Sequence, residues 1–251
     1  FYNPDITTGT QAYNEGMKYL SELCGNDMFM ALSIAPVFPA QYGNSRRISC
    51  DTWGAMSEQG WGTTNYMLNS LSFGWWLDRV YTFNDADHIL LYKPEEAENY
   101  KEGANRARIT SAVITGIYML GDNFSSKGSI PGSEEARRKA ESLVTNKEIN
   151  EIARLGKSFY PVEGYMAQSP EKAESMYMMQ TDNYTYIAIF NFDITTAKEG
   201  CLDMRRIGYS PNKHIEGKEL WTSAPVISDH KGLHYSVPPQ DVRVYRIDAS
   251  K

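Results

Sequence analysis

The stretch Arg46-Arg47-Ile48-Ser49-Cys50-Asp51-Thr52-Trp53 brings two arginines into a short, mostly apolar run, one carboxylate out of it, and a tryptophan just beyond. A carboxylate at the end of a buried strand is costly unless it is paired or used. Residues 47–51 have strand length, and residues four apart on a strand point to one face. Arg47 and Asp51 are therefore expected to look into one cavity, the arginine lower and the carboxylate at the rim. A general acid needs a carboxyl with a raised pKa; burial raises it and a nearby arginine lowers it. The same spacing also fits a plain structural Arg–Asp pair.

Upstream, Met28 to Ala35 is a continuous apolar run of strand length, closed by Pro36 and Pro39. Such a run, buried on both faces, belongs in a parallel sheet. A helix is expected before it, capped by Thr8 or Thr10, with Ala12, Met17, Tyr19, Leu20 and Leu23 on its apolar side and Gly25-Asn26 as its stop. Downstream, Gly60 to Asp78 has helical spacing, and Val80 to Phe83 reads as a third strand closed by Asn84-Asp85-Ala86-Asp87. Glu95 to Val113 reads as a helix and Ile114 to Leu120 as a fourth strand, ending at Gly121-Asp122-Asn123. Pro131-Gly132-Ser133 opens a charged helix to about Leu143, and Asn146 to Ala153 adds a further turn or two.

Helix and strand thus alternate over residues 1–157, which is the pattern of a parallel α/β unit. Polar residues recur where strands end: Asp51, Asp85, Asp87 and Asp122. In a (β/α)8 barrel those ends build the site. Four strand–helix units make half a barrel, with two open parallel edges. The sequence begins at Phe1 rather than methionine, and the other half is expected before it. Over residues 158–251 the texture changes to short strands between turns, at 176–179, 186–192, 219–221 and 233–247. That is an antiparallel all-β unit of β-sandwich size. The fold class expected is therefore α/β plus all-β.

The 251 residues are 41% hydrophobic and 22% charged, the balance of a soluble globular protein. A net charge of −6 argues against a nucleic-acid partner. No apolar run reaches the length of a membrane span, so no membrane partner is expected. Five Trp and 17 Tyr are compatible with sugar stacking and equally with core packing. Cys24, Cys50 and Cys201 are far apart and odd in number, without zinc-type spacing, and leave the compartment open. Asn123-Phe124-Ser125 and Asn183-Tyr184-Thr185 match the short glycosylation pattern.

Asn84-Asp85-Ala86-Asp87 places two carboxylates two apart, a pattern that serves hydroxyl binding, a divalent cation, or a turn and cap; it is not a calcium loop. Asp229-His230 and His234 set two histidines four apart across Gly232, on a strand and turn rather than the helix zinc motifs use. Cys50 adjoins Asp51 without a histidine nearby in sequence and reads as a small buried hydrophobe. No phosphate loop, nucleophile elbow or cofactor motif is present, and no cofactor or metal is expected.

The ordered set Ser33–Pro36, Arg47–Asp51, Trp53, a Trp-bearing helix, Asn84–Asp87, Leu120-Gly121-Asp122, Asn146–Ile149, Leu155-Gly156, Leu220-Trp221 and Val237-Pro238-Pro239 resembles the C-terminal half of the α-galactosidase-like retaining glycoside hydrolases of families 27 and 36. The resemblance follows the order of that family over most of the chain. It implies the C-terminal half of a (β/α)8 TIM barrel followed by an antiparallel β-domain, a secreted or periplasmic setting, and an oligosaccharide or glycoside substrate. In that family an aspartate after an R-x-x-x-D strand is the acid/base, so Asp51 takes that role and Arg47 contacts the sugar. The family's W-N-D-P-D segment resembles Phe83–Asp87, which implies that Asp85 and Asp87 line the pocket. Trp53, Ser33 and Ala35 are the remaining substrate-binding candidates. The small residues Ser33 and Ala35 stand where the family selects at the sugar 2-position and leave room for an N-acetyl group. The family's nucleophile lies in a K-x-D segment without counterpart here, and is expected shortly before Phe1. The resemblance implies a glycosidase working by double displacement, with residues 1–251 alone inactive. The other reading is a noncatalytic, carbohydrate-binding relative.

Overall fold

Thr8 opens the first helix: its hydroxyl accepts from the Gln11 backbone N–H at 3.1 Å, and α1 runs Gly9–Cys24 to Gly25, whose φ is 61°. The computed structural model describes residues 3–58, 60–92, 100–124, 134–163, 173–210 and 215–248. Four strands, β1 (Ala31–Leu32), β2 (Ser45–Arg47), β3 (Phe83–Ile89) and β4 (Ile117–Leu120), lie in chain order and pair in parallel. Helix α2 (Thr64–Gly74), capped by the Thr63 hydroxyl, joins β2 to β3, and α3 (Glu102–Val113) joins β3 to β4. Then come α4 (Glu134–Val144) and α5 (Lys147–Leu155), the latter capped by Asn146. The expected helix starts at Glu95 and at Pro131–Ser133 lie outside the described residues.

All four parallel strands differ from expectation: β2 covers Ser45–Arg47 rather than 47–51, because beyond Arg47 the chain bonds to β3 only through Ile48 N and Thr52 N. Asn84–Asp87 is the middle of β3, not its closing turn, while Val80 and Tyr81 follow a 3-10 turn at Trp75–Arg79. Polar residues survive inside that strand because each finds a partner: Asn84 Nδ2 donates to Gly74 O at 3.1 Å and to Ser158 Oγ at 2.8 Å. Ile114 caps α3, and β4 starts only after Gly116. Gly116 has φ 147°, and a Cβ there would lie 2.5 Å from the Asn84 carbonyl oxygen, so only glycine lets the chain pass β3. The apolar run at Met28–Ala35 makes only the two-residue β1, and it is not buried on both faces. Leu20, Leu23, Met28, Phe29 and Ile34 are exposed at this end of the sheet.

The remaining strands are β5 (Tyr160–Pro161), β6 (Met176–Gln180), β7 (Tyr184–Asn191), β8 (Lys198–Leu202), β9 (Gly217–Glu219), β10 (Ile227–Asp229), β11 (Gly232–Val237) and β12 (Asp241–Asp248). All their pairings are antiparallel, in sheets of order β5-β6-β7-β12-β9 and β10-β11-β8. Ile187, Ile189 and Ile247 of the larger sheet share an apolar cluster with Leu202, Leu233 and Val237 of the smaller. Its other face packs Tyr177, Phe190, Val242 and Val244 into the core of α2 and α3. Arg106 of α3 binds Asp241 through Nε at 3.0 Å and Nη2 at 2.7 Å. Trp221 Nε1 donates to Thr110 Oγ1, and Asn146 Nδ2 to Leu220 O, both at 3.1 Å. Among the described residues no helix is long and apolar enough to cross a membrane.

Candidate active site

Pairing in parallel puts Arg47 of β2 level with Asp85 of β3. Beyond that point β3 carries one extra residue against β4: Asp85 pairs Ile117, but His88 pairs Met119. The bulge centres on Asp87, whose φ of 75° is rare outside glycine and costs on the order of 1–3 kcal/mol. Its backbone N–H donates to Asp85 Oδ1 at 2.7 Å, which helps fix the bend. Neighbours on a regular strand face opposite ways; the bulge turns Asp87 and His88 together. His88 Nδ1 lies 2.9 Å from Asp87 Oδ1 and 3.4 Å from Asp51 Oδ1.

Arg47 Nη2 binds Asp87 Oδ1 at 2.9 Å, with Nε 3.7 Å from Asp85. The ion-pair partner of Arg47 is therefore Asp87, not Asp51, because β2 ends at Arg47 and the chain then twists along β3. Backbone bonds hold it there: Ile48 N to Asp85 O at 3.0 Å and Thr52 N to His88 O at 2.8 Å. The Asp87 side chain is 3% exposed, and its pKa is raised, first by burial, with Asp51 adding to the rise and His88 and Arg47 opposing it. The Asp51 side chain is 50% exposed.

An open cavity of about 410 Å³ gathers Ser33, Ala35, Arg47, Asp51 and Asp87, together with Ile34, Cys50 and Trp61. Arg46 shapes its rim by donating to Ala35 O at 3.0 Å and to Arg47 O at 3.0 Å. Cys50 is a wall residue whose thiol is pushed up, chiefly by burial, and so is no activated nucleophile. Two candidates from the sequence do not line this cavity. Asp85 stands behind Asp87 as an acceptor of its N–H. Trp53 stands behind Trp61, edge to face, with ring centres 4.6 Å apart. Gly62 lies against the Trp53 ring, where a Cβ would come within 2.8 Å, and its carbonyl accepts from both Trp53 N and Gly54 N. Trp61 and His88 were not singled out from the sequence. The visible signals were a tryptophan between two glycines and a histidine directly after the two aspartates.

Arg108, fully buried on α3, ties this loop to β3. Its guanidinium donates to Gly54 O at 2.8 Å, Leu90 O at 3.0 Å and Asn105 Oδ1 at 2.7 Å. Burial lowers its pKa to about 10. Asp122 does not reach the cavity: it accepts from Leu91 N at 2.7 Å and Tyr92 N at 3.3 Å. A second hollow, of about 480 Å³, lies between Asp78 and Thr181, but Asp78 there is bound to the Ser158 N–H at 2.9 Å. Asp51, Asp87 and His88 bring three donor atoms within 4.8 Å of one another. A metal cation at that point would compete with the Arg47 guanidinium already bound to Asp87. What the arrangement offers is an accessible carboxyl beside an imidazole, backed by a buried carboxyl–guanidinium pair, all at the C-terminal end of parallel strands.

No family model matches this sequence, and no curated protein sequence matches it. Solved structures do match in shape. The α-galactosidase I of Mortierella vinacea superposes with a TM-score of 0.70 at 14% identity, over 96% of this chain and 64% of that one. The isomaltodextranase of Arthrobacter globiformis T6, solved with panose, gives 0.66 at 16% identity, over 99% of this chain and 44% of the other. A family 27 β-L-arabinopyranosidase of Geobacillus stearothermophilus gives 0.64 at 15% identity, over 95% and 55%. The chain therefore shares the fold of α-galactosidase-like glycoside hydrolases along nearly its whole length, and spans less than two thirds of each of these three proteins.

Proposed function

We propose that this chain is the acid/base-bearing part of a retaining glycoside hydrolase, α-galactosidase-like, acting on terminal α-linked galactosyl-type sugars. The observation that carries the reading is Asp51: a half-exposed carboxyl at the rim of a cavity that also holds the Arg47–Asp87 pair, at the C-terminal end of parallel strands. In double displacement one carboxylate attacks the anomeric carbon while a second protonates the departing oxygen and then draws a proton from water. Asp51 is the proton donor and later the base. Arg47 and Asp87 present hydrogen-bonding groups to sugar hydroxyls, Trp61 gives a face for the ring to pack on, and Ser33 and Ala35 leave room at the 2-substituent for an N-acetyl group.

The nucleophile is a separate group. The two carboxyls of a retaining enzyme stand roughly 5–5.5 Å apart with open access to the anomeric carbon. Asp87 is near enough to Asp51, but it is buried and held by both Arg47 and His88. We assign the nucleophile to a segment outside residues 1–251, one that also completes a (β/α)8 barrel. The four-stranded sheet supports this, since among the described residues β1 has a neighbour on one side only and apolar side chains lie uncovered around it. The antiparallel sheets then form the β-sandwich that follows the barrel. Purified residues 1–251 are expected to leave p-nitrophenyl α-galactoside intact, although the fold is in place. Release of p-nitrophenol by residues 1–251 would overturn the assignment of the nucleophile.

A further inference from the structure

The β8–β11 register sets Cys201 directly across from His234, two residues 33 positions apart in sequence. On the other side of β11, His234 faces Ile227 of β10, and Asp229 lies two residues further along the same face. Leu202 and Leu233, the strand neighbours of Cys201 and His234, point into the apolar cluster; Cys201, Asp229 and His234 therefore share the opposite, solvent-facing side. Asp229 Oδ2 sits 3.0 Å from His234 Nε2, and the thiol, carboxylate and imidazole donor atoms all lie within 4.8 Å of one another. A cysteine on the wet face of a sheet is unusual, since free cysteines are among the most buried residues.

We propose that Cys201, Asp229 and His234 form a site for a divalent cation of the zinc class, remote from the sugar cavity and independent of the glycosidase reading. Sulfur, imidazole nitrogen and carboxylate oxygen are the zinc donor set, and three protein ligands leave a fourth position for water. Bond lengths of that set require donor atoms roughly 3.3–3.6 Å apart, so the Asp229–His234 pair at 3.0 Å opens slightly while the thiol, within 4.8 Å of both, settles at that spacing by small rotamer changes. Thiolate and carboxylate together balance the charge of a divalent cation. Binding releases the thiol proton, and the imidazole coordinates through Nε2 with its proton on Nδ1. Once bound, the ion clips the three-residue β10 to β8 across β11.

The test is titration of metal-free residues 1–251 with Co²⁺, read as a thiolate-to-cobalt charge-transfer absorption, followed by displacement with Zn²⁺. One equivalent should produce the band, in the native chain and in the Cys24→Ser and Cys50→Ser variants alike. Cys201→Ser should abolish it with the far-ultraviolet dichroism unchanged. His234→Gln should weaken affinity by at least about tenfold, the smallest loss seen when even groups behind the ligands are removed. Zn²⁺ should raise the Tm of the native chain and not that of Cys201→Ser. Absence of the band at a large excess of Co²⁺, or its survival in Cys201→Ser, would overturn the proposal.

Discussion

The Arg47 guanidinium lies 2.9 Å from the Asp87 carboxylate, leaving Asp51 to share His88 at the cavity rim. Two carboxyls a few ångströms apart are thereby given different work. Asp87 is buried and held, while Asp51 is accessible.

Arg47→Met removes the cation from a buried carboxylate. Breaking such a pair from one side typically costs about 3 kcal/mol or more, less where solvent reaches the site as it reaches Arg47. The loss should be largest at neutral pH and shrink on acidification, because Asp87 without Arg47 titrates higher still and is neutral earlier. Urea unfolding at neutral pH and near the carboxylate range checks this; a loss independent of pH would argue against the pair.

Arg108→Met should destabilise the chain by about 3 kcal/mol. It removes the Arg108 donor from the part-buried carbonyls of Gly54 and Leu90 and from the buried Asn105 Oδ1. Because Gly54 adjoins the Trp53–Trp61 wall, amide hydrogen exchange in residues 51–63 should accelerate more than in β12. Uniform acceleration would mean a general loss of stability only.

Much of this organisation was legible in the sequence, and the misses have physical causes. The α/β alternation followed by short strands could be read because periodicity and glycine or proline breaks are local. Asn84–Asp87 was misread as a turn, since Asn and Asp favour turns until partners such as Ser158 and Arg47 satisfy them inside a strand. Arg47 and Asp51 do share a cavity, but the partner of Arg47 depends on the β2–β3 register and the bulge at Asp87, neither of which is local. Likewise His234 was read against His230, four residues away, while its neighbour across the sheet is Cys201.

Asp122 gives a pH signature of its own. Burial raises its pKa despite two backbone N–H donors and Arg108. A carboxyl whose folded pKa exceeds the unfolded value of about 3.9 contributes stability below that value and loses it as pH rises through the folded one. Asp122→Asn cannot titrate. The Tm difference between native and variant should therefore shift in favour of the variant as pH rises from below about 4 toward neutrality. A constant difference across that range would contradict the buried-carboxyl account.

The proposed role of Asp51 is tested most directly by Asp51→Ala in a protein that contains both this chain and the segment completing the barrel. The measurement is turnover of a series of α-galactosides of graded leaving group, with and without azide. Loss of the acid should abolish cleavage of alkyl and sugar leaving groups and spare formation of the glycosyl-enzyme from activated aryl ones. Azide, which needs no general base, should then restore turnover of the aryl substrates and yield the α-galactosyl azide. Native rates on poor leaving groups, or no azide product from a variant that still binds substrate, would contradict Asp51 as the acid/base.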